Sequence, residues 1–570
     1  MSVSEYYERW LTDATEDPDL GNELRRIADD KDEIHERFYR ELEFGTAGLR
    51  GVIGAGTNRM NIYTVRKATQ GLADYLNSRY PAPCVVICYD SRIKSDLFAK
   101  EAARVLAGNG VSVHLFAELA PVPVLSFAVK HLACQAGIMV TASHNPAKYN
   151  GYKCYGPEGY QMTDEDADTV TECIKKLDLF TDIRLADFDA AVEDGRITMV
   201  GDDVVDTFLS CVAAQQVNPG ICAQSDLKVI YTPLNGAGNK PVRKILERIG
   251  LSQVTVVAEQ ELPDGNFPTA PFPNPELRQP FELALKLAET VEPDVLLATD
   301  PDCDRVGIAV RQNGEYVLLT GNETGCLLLH YILSCRAEQG TLSTDPVVIK
   351  TIVTSDLATR IAEKFGCEMR NVLTGFKYIG EQIVEMEQAG TPDRFQFGFE
   401  ESYGCLAGTH ARDKDAVVAS MLICEMAAYY KGKGLTLLDI LQLLYHEHGA
   451  YRHLLVNVQF EGAKGMAAMD SIMQKLRSNP PKELGGLKVL ATADYLSAER
   501  KTMDGTVDIL HLPRANVLVF ELENHASVIV RPSGTEPKIK GYVTATGITP
   551  EDADVVADKL RKVVEKLLKA

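Results

Sequence analysis

The sequence predicts an α/β protein of three related domains, each built on a mixed or parallel sheet, plus a C-terminal antiparallel α+β domain, around one central cleft. Short apolar runs rich in β-branched residues alternate with helical segments, and this alternation restarts twice along the 570 residues. After about residue 450, the runs alternate between apolar and polar positions instead. The first pattern indicates largely parallel sheets covered by helices, and the second indicates half-buried antiparallel strands.

We predict the first domain over residues 1–205 and the second over residues 206–320. Charged helices that pack on the outside occupy about the first 40 residues. The predicted strands of the first domain are CVVICYD, VSVHLFAE and AGIMVTA, and those of the second are LKVIYTP, VTVVAE and PDVLLATD. Segments between them, such as DLFAKEAARVLAGNG with its closing glycine, have the apolar period and the ending of helices.

We predict the third domain over residues 321–450 and the fourth over residues 451–570. VVIKTIVT, EMRNVL and FQFGFE are the strands of the third domain. The predicted strands of the fourth domain are YRHLLVNVQF, VLVFEL, SVIVRPSG and KIKGYVTAT. A predicted helix over PEDADVVADKLRKVVEKLLKA ends the chain. The strands of the fourth domain have the period of two that a sheet with one solvated face requires.

Composition excludes several classes of partner. Lys and Arg total 59 against 80 Asp and Glu, a formal charge of −21, so we expect neither nucleic acid nor a membrane surface as a partner. The 13 cysteines form no CxxC pair, which indicates reduced thiols. The acidic N-terminus does not resemble a signal peptide, and no apolar run is long enough to span a membrane. We therefore expect a cytoplasmic protein.

Four polar loops follow predicted strands, one in each domain: TASHNP, DPDCDR, GFEESYG and RPSGTEPK. In open α/β sheets, ligands bind outside the carboxyl ends of the strands. We therefore expect the four loops to contribute to a single site. Asp90 and Arg92, in YDSRIKS, are expected to support that site structurally.

The loop DPDCDR carries Asp300, Asp302 and Asp304, which alternate along an extended segment after a buried strand. Three carboxylates on one face repel one another unless a cation binds them, and Mg²⁺ suits carboxylate oxygens with one further anionic ligand. Arg305, directly after them, can hold a phosphate or clamp the carboxylates.

Ser143 is a candidate nucleophile, although a serine after a strand is also a common turn or cap residue. His144 beside it is a candidate base, and Lys153 a candidate acid, base or phosphate ligand. Glycines in FGTAGLRG permit close approach of a ligand, and Arg50 in that segment is poised for a phosphate.

RPSGTEPK combines a cation, two hydroxyls and a glycine, a pattern typical of a phosphate nest. Its candidate residues are Arg531, Ser533, Gly534 and Thr535. In GFEESYG, acidic side chains follow an apolar strand, and carboxylates accept hydrogen bonds from sugar hydroxyls. Glu400 and Ser402 are the candidates there.

These four motifs, in this order and spacing, resemble those of the α-D-phosphohexomutase superfamily, and the resemblance covers essentially the whole chain. FGTAGLRG, TGFKYIG and GFEESYG are most similar to the branch that holds phosphoglucomutases and the larger phosphopentomutases. The resemblance implies an intramolecular phosphotransferase that acts on sugar phosphates through a phosphoserine and a bisphosphorylated sugar. It leaves open whether the chain is a monomer or a homodimer.

The resemblance also implies a role for each matched residue. Ser143 would carry the phosphate and, with Asp300, Asp302 and Asp304, hold one Mg²⁺. Lys153, His144 and Arg50 would supply proton transfer and charge stabilisation. Substrate contacts are implied for Arg305, Thr374, Gly375, Lys377, Glu400, Ser402, Lys414, Arg531, Ser533, Gly534 and Thr535. One departure is Gly404, where some relatives have a histidine, so part of the proton transfer is expected to rest on Lys153 or Lys414.

Glucose 1-phosphate and glucose 6-phosphate, with glucose 1,6-bisphosphate as intermediate and activator, are the first expectation. Ribose or deoxyribose phosphates are the alternative, and mannose phosphates are less favoured. Two other functions remain open at this point. One is an aspartyl-phosphate phosphatase with Asp300 as nucleophile, and the other is a sugar-phosphate sensor without turnover.

Overall fold

The computed structural model describes residues 2–45, 48–460, 462–533 and 538–569, whose strands form four sheets. The first three are mixed sheets flanked by helices, and the fourth is antiparallel. The predicted fold class is therefore confirmed. No helix in the described ranges has both the length and the apolar character needed to cross a membrane.

The first sheet has six strands in the order β1-β5-β4-β2-β3-β6. Strand β2 is parallel to both β3 and β4, whereas β1 and β5 pair antiparallel at one edge. The strands are β1 (Gly48–Val52), β2 (Cys84–Tyr89), β3 (Ser112–Phe116), β4 (Ala136–Val140), β5 (Tyr149–Tyr155) and β6 (Ile197–Val200). The helices are α1 (Val3–Asp13), α2 (Pro18–Arg26), α3 (Lys31–Phe38), α4 (Ile62–Arg79), α5 (Ser95–Gly108), α6 (Val122–His131), α7 (Asp164–Ile174) and α8 (Phe188–Glu193).

The N-terminal helices α1 to α3 pack on the outside of this unit, as predicted. Helix α1 starts at a capping box in which Ser2 and Glu5 satisfy each other's backbone N–H. Its Trp10 is 1% exposed and meets Phe38, Tyr63 and Phe180 edge to face. The buried faces of α1 and α3 therefore form an aromatic cluster that anchors these two helices to helix α4.

The second sheet has the order β11-β10-β9-β7-β8, and the third has the order β13-β12-β14-β15. The strands are β7 (Lys228–Thr232), β8 (Gln253–Val256), β9 (Val295–Thr299), β10 (Val306–Gln312), β11 (Glu315–Leu319), β12 (Val347–Thr351), β13 (Glu368–Val372), β14 (Phe395–Phe399) and β15 (Cys405–Leu406). The helices are α9 (Asp202–Ala213), α10 (Ile221–Gln224), α11 (Asn239–Arg248), α12 (Ala258–Glu261), α13 (Glu282–Val291), α14 (Gly321–Gln339), α15 (Leu357–Lys364), α16 (Phe376–Gln388), α17 (Ala416–Gly432) and α18 (Leu437–His448).

The fourth sheet contains β16 (Ala450–Gln459), β17 (Glu483–Leu484), β18 (Leu487–Asp494), β19 (Glu499–Thr502), β20 (Val507–Ile509), β21 (Leu518–Leu522), β22 (Ser527–Pro532) and β23 (Lys538–Gly547). Helices α19 (Gly462–Ser478) and α20 (Pro550–Leu567) complete this unit. Every strand pair in it is antiparallel. Its main apolar core is separate from that of the other three units, and a smaller cluster with Tyr495, Ile529 and Tyr542 packs against Val353 and Leu373 of the third.

The carboxyl ends of β4, β9 and β14 meet at one place. They lead directly into the loops of Ser143, Asp300 and Glu400. Backbone bonds between units fix this arrangement: the N–H of Val122 donates to the carbonyl of Asp302 at 2.9 Å, and the N–H of Val306 donates to that of Tyr403 at 3.1 Å. Three of the four loops expected to share one site therefore lie together, whereas residues 534–537 of the fourth loop lie outside the described ranges.

Candidate active site

Ser143 lies in the loop after β4 with a left-handed backbone, φ 51°. A non-glycine residue rarely adopts this conformation, so surrounding contacts must hold it. The N–H of Ser143 donates to Oγ1 of Thr141 at 2.9 Å, and that hydroxyl donates to Oδ2 of buried Asp90 at 2.6 Å. The loop is thus tied to the end of strand β2.

Arg92 is the second support of this loop. Its buried guanidinium donates to the carbonyl oxygens of Ser143 at 2.5 Å, of Pro146 and Tyr149 at 3.1 Å each, and of Asn145. One side chain therefore holds four carbonyl oxygens of the loop between residues 143 and 149. These contacts agree with the supporting role that the sequence indicated for Arg92.

The three aspartates after β9 form a buried acidic cluster. Their ligand oxygens all lie within 4.8 Å of one another. Oδ1 of Asp302 and Oδ1 of Asp304 are buried and have no hydrogen-bond partner among the described residues. Burial and its two acidic neighbours raise the pKa of Asp300 well above its usual value. Unpartnered carboxylate oxygens that converge in this way fit a hard divalent cation such as Mg²⁺.

The Ser143 hydroxyl faces this cluster. Its Oγ lies 2.7 Å from Oδ2 of Asp300 and 3.1 Å from Nδ1 of His144. Desolvation and the positive charge of Arg305 lower the pKa of His144 to about 2, so the imidazole is neutral at pH 7. The hydroxyl is therefore placed between a cation site and a neutral imidazole.

Two ammonium groups lie against the cluster and balance part of its negative charge. Nζ of Lys153 lies 3.0 Å from Oδ2 of Asp302, and Nζ of Lys414 lies 3.2 Å from Oδ2 of Asp304. Desolvation favours the neutral amines, but the neighbouring carboxylates outweigh it and raise the pKa of both lysines. Both lysines are therefore protonated at neutral pH.

The sequence did not indicate Asp413, which positions Lys414. Its Oδ1 lies 3.0 Å from Nζ of Lys414, and its Oδ2 accepts a hydrogen bond from the Tyr155 hydroxyl at 2.6 Å. The Lys414 stem passes over Gly404, where an added Cβ would collide with Cδ of the lysine. Lys414 thus occupies the space that a side chain at position 404 would need.

Arg305 and Arg50 lie at the rim. Arg305 donates to Oε1 of Glu276 at 2.7 Å and is 3.6 Å from Oδ1 of Asp304. Arg50 is exposed on β1, opposite Gly151 of β5 and two residues from Gly48, whose partner in β5 is Lys153. Opposed residues of an antiparallel pair share a face, as do residues two apart, so Arg50 lies on the Lys153 side.

The predicted sugar loop meets a second loop after β13. Oε1 of Glu400 accepts the backbone N–H of Gly375 at 3.0 Å, and Ser402 is half-buried nearby. Oγ1 of Thr374 is buried without a hydrogen-bond partner in the described part of the chain. Lys377 differs from the rest, because its Nζ pairs with Oδ1 of Asp164 at 2.7 Å.

Cations cluster on one face of the fourth sheet. Arg531 of β22 is paired with Lys540 of β23, and Lys538 lies two residues before Lys540. Burial and the charges of Lys538 and Arg531 lower the pKa of Lys540. Like charges directly opposite each other destabilise a sheet unless an anion binds between them. Ser533 lies at the end of β22, whereas the predicted Gly534 and Thr535 fall outside the described residues.

A buried hydroxyl against a carboxylate triad, with two ammonium groups close by, suits an α/β enzyme of phosphoryl transfer. Family models described as phosphoglucomutase/phosphomannomutase alpha/beta/alpha domains I, II and III match residues 41–180, 206–314 and 320–447. The chain belongs to the phosphoglucomutase/phosphomannomutase family and is an enzyme of the isomerase class.

Curated relatives extend this match to most of the chain. A phosphoglucomutase of Staphylococcus aureus is 37% identical over 536 residues, which are 93% of this chain and 94% of the relative. One from Staphylococcus haemolyticus is 37% identical over 509 residues, 89% of this chain and 91% of the relative.

Solved structures share the fold. A structure described as a putative phosphomannomutase from Thermus thermophilus superposes with a TM-score of 0.68 at 22% identity, covering 93% of this chain and all of that one. The open form of parafusin, a Paramecium phosphoglucomutase, superposes with a TM-score of 0.67 at 18% identity, covering 93% and 95%.

Proposed function

We propose that this enzyme interconverts glucose 1-phosphate and glucose 6-phosphate through a phosphoserine at position 143. The observation that carries the proposal is the 2.7 Å contact between Oγ of Ser143 and Oδ2 of Asp300, inside a buried triad with unpartnered oxygens. The relatives named phosphoglucomutase, 37% identical over 93% of the chain, support glucose as the sugar.

Asp300, Asp302 and Asp304, together with the phosphate on Ser143, would hold one Mg²⁺. When bound, the ion supplies the positive charge that phosphoryl transfer requires. Arg305 and Arg50 border the same region and add positive charge where the phosphate oxygens would lie.

The chain's own groups carry the protons. The attacking sugar hydroxyl loses a proton, and Oγ of Ser143 gains one when its phosphate leaves. We assign both transfers to the Lys153 and Lys414 pair, whose ammonium groups lie 3.0 and 3.2 Å from the carboxylates of the triad. One ammonium group donates its proton to Oγ of Ser143 as the phosphate leaves, and the neutral amine that results accepts the proton lost by the sugar hydroxyl. His144, neutral and 3.1 Å from Oγ of Ser143, orients the hydroxyl when it carries no phosphate.

The second phosphate of the substrate has its own cradle in the fourth unit. The residues proposed to hold this phosphate are Arg531, Ser533, Gly534 and Thr535. Lys540 is added to them because it lies opposite Arg531. Glucose 1,6-bisphosphate can then turn around, because either of its phosphates fits the same cradle. Sugar hydroxyls and phosphate oxygens between the two ends are assigned to Thr374, Gly375, Lys377, Glu400 and Ser402.

Three further expectations stay proposals: the domain limits at residues 205, 320 and 450, a monomer or a homodimer in solution, and a place in the cytoplasm. Size-exclusion chromatography with light scattering measures the oligomeric state.

The decisive experiment is a mutase assay with glucose 1-phosphate, Mg²⁺ and a trace of glucose 1,6-bisphosphate, with ribose 1-phosphate and mannose 1-phosphate in parallel. We expect rapid formation of glucose 6-phosphate that Ser143→Ala abolishes. The matched control is Ser420→Ala, because Ser420 is a fully buried serine whose hydroxyl has no partner in the described chain.

The other outcomes separate the alternatives. Turnover of ribose 1-phosphate alone would keep the mechanism and change the sugar to a pentose. Phosphate release that survives Ser143→Ala would indicate a phosphatase. Binding of glucose 1-phosphate without turnover, even after the enzyme is charged with bisphosphate, would indicate a sensor.

A further inference from the structure

Three potential metal ligands meet at the opposite end of the first sheet from Ser143. They are Cys84, the first residue of β2, His114 in β3, and Cys134, between α6 and β4. Their ligand atoms all lie within 4.8 Å of one another, and the two sulfur atoms are 3.3 Å apart. In the described residues, the only other group of this kind is the aspartate triad.

The sheet itself brings the three side chains together. Strand β2 lies between β3 and β4, with Val86 opposite His114 and Val85 opposite Ala136. Because side chains alternate between faces, Cys84 and His114 lie on the same face as Val86. A backbone hydrogen bond holds Cys134 next to helix α6, since its N–H donates to the carbonyl of Val129 at 2.8 Å.

A reciprocal pair of hydrogen bonds fixes the start of β2. The N–H of Gln135 donates to the carbonyl of Cys84 at 2.9 Å, and the N–H of Cys84 donates to Oε1 of Gln135 at 2.8 Å. The backbones of both cysteines are therefore held in place without help from a ligand. A site preorganised in this way loses little conformational entropy on binding a metal.

The protonation of the group suits metal binding. Hydrogen bonds from the Cys134 thiol and from His114 outweigh desolvation and lower the pKa of Cys84 to about 5. This shift favours the thiolate, the form of cysteine that binds metals. Cys134 keeps its proton, because donation to the thiolate and burial raise its pKa.

We propose that Cys84, His114 and Cys134 bind one thiophilic divalent cation, zinc in the first place, with the fourth position open to solvent. Two thiolates and one imidazole are a ligand set typical of tetrahedral zinc. With Zn–S bonds of about 2.3 Å, the two sulfur atoms would lie about 3.8 Å apart, so they need to separate only slightly. Cys84 and His114 are half-exposed, which leaves a path for the ion.

This site differs chemically from the aspartate triad. Thiolate and imidazole ligands favour zinc over Mg²⁺, whereas carboxylates favour Mg²⁺. Binding of zinc breaks the S–H bond of Cys134 and releases its proton to solvent, so affinity rises with pH. An S–H···S contact also fits a pair that oxidises to a disulfide, and the test below includes that outcome.

The test uses the full-length, reduced and metal-stripped protein in excess Mg²⁺, which keeps the triad occupied. Zinc affinity is measured by competition with a chromophoric chelator, and Co²⁺ reports sulfur ligation through its thiolate charge-transfer band. We expect one Zn²⁺ per chain and the Co²⁺ band. We expect Cys84→Ser, Cys134→Ser and His114→Gln to bind at least about 100-fold more weakly.

The matched control is Cys173→Ser, because Cys173 is another half-exposed cysteine, on α7, outside the group. It should bind zinc like the unmodified chain, and thermal unfolding of each variant checks folding. Zinc binding that is absent, or that the three substitutions leave unchanged, overturns the proposal. So does a Cys84–Cys134 disulfide in air-oxidised protein whose reduced form binds no zinc, since the pair would then be a redox couple.

Discussion

Replacing Arg92 by lysine is the sharpest test of how the fold holds Ser143, the proposed phosphate carrier. The guanidinium donates to four loop carbonyls, whereas a lysine ammonium is compact and can reach two of them at most. Two hydrogen bonds from a charged donor are then lost, at about 1.5–3 kcal/mol each, or about 3–6 kcal/mol in total. The left-handed backbone of Ser143 costs about 1–3 kcal/mol, so the loop should relax.

A displacement of about 1 Å at a reacting atom lowers turnover roughly 100-fold. We therefore expect Arg92→Lys to lower kcat/KM for glucose 1-phosphate about 100-fold and to lower the phosphate content of Ser143 after charging with bisphosphate. The assay couples glucose 6-phosphate formation to a dehydrogenase, and mass spectrometry counts the phosphate.

The control for this experiment is Arg66→Lys. Arg66 is also a buried arginine of the first unit, paired with Glu16 and Glu101 far from the serine loop. It should lose stability but keep its activity below its melting temperature. If Arg92→Lys retains activity within about threefold of the unmodified enzyme, the hydrogen bonds to the loop carbonyls do not set the position of Ser143, and the reasoning fails.

Three further predictions follow from the site. Gly404→Ala should lower kcat more than about tenfold with little change in KM, because the new Cβ displaces Lys414; an unchanged kcat in the coupled assay would contradict this. Lys540→Ala should raise KM for glucose 1-phosphate about 10- to 100-fold, since one charge-assisted contact is worth about 1.5–3 kcal/mol, whereas exposed Lys501→Ala should not. Dialysis against EDTA should abolish turnover and added Mg²⁺ should restore it, and activity that persists without any divalent cation would exclude the triad as a functional metal site.

Much of the site could be predicted because its parts are local in sequence. The strand before each loop is buried and apolar, so the sequence shows where the strand ends. Charged residues directly after a buried strand destabilise the fold unless they have a function. Asp300, Asp302 and Asp304 occupy one such segment, and the structure brings them together with Ser143. The same reasoning singled out Glu400, whereas only the family resemblance grouped it with Gly375, to which one hydrogen bond joins it.

Other parts could not be predicted because they depend on register and on distant packing. Asp413 acts through Tyr155, which lies far away in sequence, and no local pattern links the two. Lys540 could be recognised as a candidate phosphate ligand only from the strand pairing, which places it opposite Arg531. Likewise, Cys84 and Cys134 have none of the short spacings by which metal-binding cysteines are usually found.

The left-handed backbone of Ser143 restricts which amino acids can occupy this position during evolution. Threonine carries the same hydroxyl, but β-branched residues are strongly disfavoured at positive φ. A threonine would therefore have to reshape the loop before its oxygen could reach Asp300. Asparagine and aspartate tolerate this backbone but offer no hydroxyl to phosphorylate. For the proposed phosphate carrier, backbone geometry thus favours serine over threonine, asparagine and aspartate before any selection for nucleophilic chemistry applies.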